Sequence, residues 1–158
     1  MGMPYNKLGQ RRWLALYEYR QMYPEDSIFY PQPDYRISPD TCKWCGGPLP
    51  NKRRKSFCSE VCAQRFQQNT VWGRGQSPLA YRILCRDNFT CQRCGKDVAI
   101  TNEHGVRIPT AKNGEVHHKD HVSDGGTDHQ NNLETLCGVC HKAEHKNRVV
   151  IPCTAYPA

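Results

Sequence analysis

The sequence predicts a small α+β protein stabilised by zinc, with a four-cysteine finger ahead of a strand–strand–helix unit. Three observations lead there. Eight of the ten cysteines fall in four tight pairs. Six of the seven histidines crowd into residues 115–145, "EVHHKDHVSDGGTDHQNNLETLCGVCHKAEH". Hydrophobic residues make up only 37% of the 158 positions, and a chain this poor in apolar surface needs staples to offset its conformational entropy.

Five segments follow from the composition: a helix and Pro/Tyr-rich arm over 1–38, a zinc finger over 39–70, a hinge and connecting helix over 71–88, a histidine- and cysteine-rich domain over 89–150, and a tail over 151–158. In the first, "QRRWLALYEYRQM" predicts a helix from Gln10 to Met22 with Trp13, Leu16 and Tyr17 on one face. The next stretch, "YPEDSIFYPQPDYRISPD", carries four prolines and no steady period, which reads as an extended arm. Its tyrosines either pack on the body of the protein or, with the arginines, contact nucleic acid; packing is the commoner fate of aromatic residues.

Cys42, Cys45, Cys58 and Cys62 form two short-spaced pairs, the second at the start of a helix expected over 59–68. Four thiolates in this arrangement suit a tetrahedral zinc, and four protein ligands leave no open position, so the site is structural. Lys52, Arg53, Arg54 and Lys55 lie between the pairs. The run is either a solvated turn or a phosphate contact. Beyond a hinge at "TVWGRGQ", Ser77 offers a helix N-cap and Pro78 fits the first turn. Leu79, Ile83 and Leu84 would face inward, with Arg82 and Arg86 turned away.

Cys91 and Cys94, with Cys137 and Cys140, compose a second four-thiolate zinc site that pins a long loop at its base. Cys85 and Cys153 remain as buried or free thiols. "EVHHK" reads as a strand, in which His117 and His118 point to opposite sides. "NNLETL" reads as the partner strand of a hairpin, and "CHKAEHKNR" as a helix that stacks His141 and His145 on one face at i and i+4. Hairpin and helix would then gather His117, His141 and His145 as three ligands of a metal with positions left for water and substrate. His118 becomes the spare imidazole, suited to a general base near neutral pH.

These residues resemble an HNH endonuclease of the ββα-metal, zinc-clamped type, a treble-clef-like fold. The likeness rests on His117-His118, Gly125-Gly126, Asn132-Leu133 and Cys137-Gly-Val-Cys140-His141, and covers residues 80–146. It implies His118 as general base, His117 and His141 as metal ligands, and Asn132 as the residue that fixes the hairpin loop and so orients His118. The His-His doublet and His145 also resemble colicin-type DNases; many zinc-clamped relatives lack the equivalent of His145 and carry Asp in place of His117. The upstream cysteine finger resembles the one that precedes the HNH domain in annealing-helicase/nuclease fusions.

The resulting expectation is a metal-dependent hydrolase of DNA phosphodiester bonds, leaving 5′-phosphate and 3′-hydroxyl ends. It would carry two structural Zn²⁺ and one catalytic Mn²⁺, Ni²⁺, Co²⁺, Zn²⁺ or Mg²⁺. Lys142, Lys146 and Arg148 flank the metal helix, either to hold phosphates or to face solvent. Lys and Arg outnumber Asp and Glu by seven, a balance that suits a polyanionic partner. No apolar run approaches a membrane span and no signal-peptide pattern opens the chain. The expected setting is therefore a reducing compartment, cytoplasmic, or nuclear in a eukaryote. The alternative is a nucleic-acid-binding module, or a subunit of a larger machine of helicase, phage-packaging or mobile-element type, with cutting absent or controlled by partners.

Overall fold

The computed structural model describes residues 12–70 and 77–145. Four helices and two antiparallel hairpins make up the chain there: α1 (Leu16–Met22), α2 (Glu60–Asn69), α3 (Pro78–Arg86), β1 (Ala99–Thr101), β2 (Arg107–Ala111), β3 (Gly114–His118), β4 (Leu133–Cys137) and α4, helical over 138–145. The predicted β3–β4–α4 order is present, with Val116 opposite Thr135 and His118 opposite Leu133. The hairpin β1–β2 is additional to the sequence expectation.

α1 is shorter than expected. Residues 12–15 are not helical, because their polar groups have other partners. The Leu14 amide donates to Asp128, and Glu18 accepts from the Ala15 amide while pairing with Arg12 at 2.7 Å. Gln10 and Arg11 lie outside the described residues. Tyr17 is exposed, whereas Tyr19 is fully buried. The arm behind α1 packs on the protein, as the aromatic content favours: Ile28 joins the core of Leu14, Tyr19, Leu79, Ile83 and Leu133. Tyr30 and Tyr35 lie against a second core of Leu84, Phe89, Val98 and Leu136.

In the finger, Ser59 caps α2 by accepting from the Cys62 amide, which satisfies one orphan donor of the first turn. Buried Trp44 and Cys42 pack with Ile108 of β2, so the finger rests on the β1–β2 hairpin. The Asn102 amide also donates to the Trp44 carbonyl. α3 buries Leu79, Ile83 and Leu84 as expected. Two expectations there need correction. Ser77 stands at the N-cap but makes no cap hydrogen bond, and its hydroxyl is buried without a partner among the described residues. Arg86 does not turn away: it donates to the Gln130 and Leu133 carbonyls and pairs with Asp87, tying α3 to the start of β4. Hinge residues 71–76 and tail residues 151–158 lie outside the described part. No helix among the described residues is long and apolar enough to cross a membrane.

Candidate active site

β3 carries His117 and His118 with the alternation a strand imposes. His117 is 3% exposed, and its Nε2 is buried with no hydrogen-bond partner among the described residues. α4 brings His141 and His145 one turn apart, with their Nε2 atoms separated by 3.1 Å. Ligand nitrogens of all three histidines lie within 4.8 Å of one another. Burial, with His121 and His141 close by, lowers the His117 imidazole to about 4, so it is neutral near pH 7, the form that binds metal. Glu115, two residues before His117, places Oε2 2.9 Å from His141 Nδ1. That contact commits Nδ1 and leaves Nε2 for the centre. An orphaned buried nitrogen beside two converging imidazoles fits a divalent cation, because burying a polar atom without a partner is otherwise costly.

His118 faces a different environment. Its Nε2 lies 2.7 Å from Oδ1 of Asp128, whose side chain is fully buried. The other oxygen, Oδ2, accepts from the Leu14 amide at 3.0 Å. The Trp13 ring stacks on the imidazole, with centroids 5.0 Å apart and planes inclined by 20°. Asn132 clasps the intervening loop. Its Oδ1 accepts from the Asp120 amide at 2.7 Å, and its Nδ2 donates to the Asp120 and Thr127 carbonyls. Gly125 ends a 3₁₀ turn at φ +89°, and a Cβ on Gly126 would sit 1.7 Å from the Asp120 carbonyl oxygen. The tight loop therefore needs glycine at both positions.

Residues 91–147 match the family model described as HNH endonuclease. The chain thus carries an HNH endonuclease domain, with a separate four-cysteine cluster upstream. No curated protein and no solved structure matches the chain. The HNH match spans Cys91 to beyond His145, and includes His117, His118, His141, His145, Asp128, Asn132 and one cysteine cluster; Trp13, stacked on His118, lies before it. A match over these residues suggests a nuclease of the HNH type.

Each cysteine cluster could hold zinc. Sγ atoms of Cys42, Cys45, Cys58 and Cys62 lie within 4.8 Å of one another, as do those of Cys91, Cys94, Cys137 and Cys140. Burial opposes ionisation of Cys42 and Cys91. Backbone N–H donors outweigh it, and lower Cys42 to about 7 and Cys91 to about 6. Cys85 is buried, which pushes its thiol up to about 11; Cys153 lies outside the described residues. The second cluster is braced to α4 by Arg93 of its knuckle, which pairs with Glu134 and Glu144.

The basic residues lie elsewhere. Lys52 to Lys55 are exposed on the finger, where the Asn51 side chain accepts from the Arg53 and Arg54 amides. Arg36, Lys52, Arg54 and Lys55 line a groove of about 580 Å³. Lys142 is exposed on α4, and Lys146 and Arg148 lie outside the described residues. Sequence reasoning missed four residues that touch the histidines. Glu115 was legible, since it shares a strand face with His117. His121 was visible only as one more histidine in a turn, yet its ring lies 5.2 Å from that of His117 and 5.6 Å from that of His145. Trp13 gave no signal, because over a hundred residues separate it from His118; Asp128, only ten residues after His118, was hidden as one more polar residue of the "SDGGTD" turn.

Proposed function

We propose that this protein is a metal-dependent endonuclease that hydrolyses DNA phosphodiester bonds, with His118 as the general base. The observation that carries this reading is the division of one strand between two tasks. His117 joins His141 and His145 in a pocket of converging nitrogens, while the adjacent His118 is held outside that pocket. His117, His141 and His145 would hold a divalent ion, which would supply Lewis acidity toward a phosphate and its leaving oxygen. The imidazole of His118 takes a proton from the attacking water. Asn132 keeps the 119–127 loop in register, and with it the end of β3 that bears His118. Products then carry 5′-phosphate and 3′-hydroxyl ends.

The two cysteine clusters are structural zinc sites that hold the finger and the HNH domain. Eight thiols kept for zinc suit a reducing compartment. Lys52, Arg53, Arg54 and Lys55 of the finger would meet phosphates, as would Lys142 of the metal helix; Lys146 and Arg148, outside the described residues, are proposed for the same task.

Cleavage of supercoiled plasmid in the presence of Mn²⁺ tests the reading. His118→Ala should retain metal and fold, and cut about 10²–10⁴ times more slowly, the usual worth of a positioned general base. His117→Ala should lose the metal. A His118→Ala protein that cuts at the wild-type rate overturns the assignment. Products that a DNA ligase cannot reseal overturn the end chemistry.

A further inference from the structure

The environment of His118 extends beyond the residues that the HNH match covers. Leu14 is at the far end of the chain in sequence, 114 residues from Asp128, yet its backbone N–H donates to Asp128 Oδ2 at 3.0 Å. Oδ1 of the same carboxylate faces His118 Nε2 at 2.7 Å. Asp128 is 1% exposed, so water does not compete for either oxygen. A carboxylate only accepts hydrogen bonds, so Nε2 must be the protonated nitrogen of a neutral His118. Its lone pair is then on Nδ1. The Trp13 ring covers one face of the imidazole and limits its rotation.

We infer that Asp128, anchored by the Leu14 amide and with Trp13 stacked on the imidazole, is a positioning residue that fixes His118 as the Nε2–H tautomer and so makes Nδ1 the basic atom. This rests on the proposed role of His118 as general base. In the reaction, Nδ1 accepts a proton from water as the water oxygen bonds to phosphorus and the P–O3′ bond breaks. The imidazolium that forms keeps its Nε2–H on the carboxylate, which stabilises the new charge. The leaving oxygen takes its proton from solvent, and His118 returns its own to solvent.

Asp128→Asn separates this from a merely structural role. The Leu14 amide can only donate, so the asparagine carbonyl must turn to it. The asparagine NH₂ then points at His118 Nε2 and forces the Nδ1–H tautomer, which has no lone pair for water. The full chain with both zinc clusters loaded is used. Expected are a kcat lower by about 10²–10⁴, KM and metal affinity unchanged, and a reversal of the ¹⁵N shift pattern of the neutral His118 ring. Trp13→Ala should lower kcat with the same metal affinity, and Trp13→Phe should restore it. Wild-type kcat in Asp128→Asn, or an unchanged tautomer, overturns the inference while an inactive His118→Ala leaves the general base in place. If His118→Ala itself cuts normally, both fall. Should Asp128→Asn fail to fold, the Trp13 pair decides: a Trp13→Ala protein with wild-type kcat overturns the inference.

Discussion

His141 and His145 point their Nε2 atoms at each other across 3.1 Å, one helical turn apart on α4. Two neutral imidazoles cannot both present lone pairs at that distance without a cation or proton between them. With buried His117 completing the group, the site offers borderline-soft nitrogen rather than the oxygen that Mg²⁺ prefers. Low concentrations of Mn²⁺, Co²⁺ or Ni²⁺ should therefore support cutting better than the same concentration of Mg²⁺. His145→Ala should weaken transition-metal binding by about 10-fold or more, as even outer partners of a metal site can do, and narrow the preference over Mg²⁺. Titration calorimetry and activity against each metal read the two effects. Unchanged affinity in His145→Ala would remove it from the centre.

Glu115 acts one step further out. Its carboxylate lies 2.9 Å from His141 Nδ1 and so would direct Nε2 to a bound metal. Such outer partners are worth 10- to 100-fold in metal affinity, and the exposed position of Glu115 places it near the lower end, about 10-fold. Glu115→Gln keeps an acceptor oxygen and should lose less than Glu115→Ala. Equal losses in the two variants would mean that the carboxylate does not orient His141.

Metal analysis of purified protein should find two tightly held zinc ions per chain and a weaker third metal. Structural zinc sites in finger peptides contribute roughly 10–16 kcal/mol of apparent binding energy, so Cys91→Ser should unfold the HNH domain. Cys42→Ser should act more locally, but not only on the finger. Trp44 and Ile108 share a cluster, and Asn102 bonds the Trp44 carbonyl, so hydrogen exchange should speed up across the β1–β2 hairpin while β3–β4 stays protected. One zinc per chain, or disulfides in its place, would contradict the two-cluster arrangement.

The parts of this architecture legible in the sequence are those written locally. CxxC spacing, the i,i+4 histidine pair and the alternation around His117 each need only a few consecutive residues. β1 was hidden because three residues are too few to show a period, and β2 contains Pro109 and is buried at four of its five positions. The start of α1 differs for another reason. Trp13 keeps helical spacing with Leu16 and Tyr17, but the Leu14 amide is taken by Asp128, and no local pattern reports a bond across 114 residues. The setting of His118 depends on that bond, so His118 was legible as a residue while its environment was not.

The basic run Lys52-Arg53-Arg54-Lys55 gives the last prediction. Its turn is ordered by Asn51, and Arg36 donates to the Lys55 carbonyl from beneath it. Its side chains are exposed, and those of Lys52, Arg54 and Lys55 line the groove shared with Arg36. A solvated turn would also look exposed, so the distinction lies in salt dependence. Each phosphate that a Lys or Arg neutralises releases counterions and adds about 0.9 to the log–log slope of binding against salt. Replacing all four residues with Ala should weaken DNA binding at low salt and flatten that slope by about 0.9 for every phosphate no longer neutralised. Cleavage at saturating DNA should be unaffected, because the run belongs to the finger and not to the histidine centre. Reduced affinity with an unchanged slope would point to a damaged finger, and no change in either would leave the run a solvated turn.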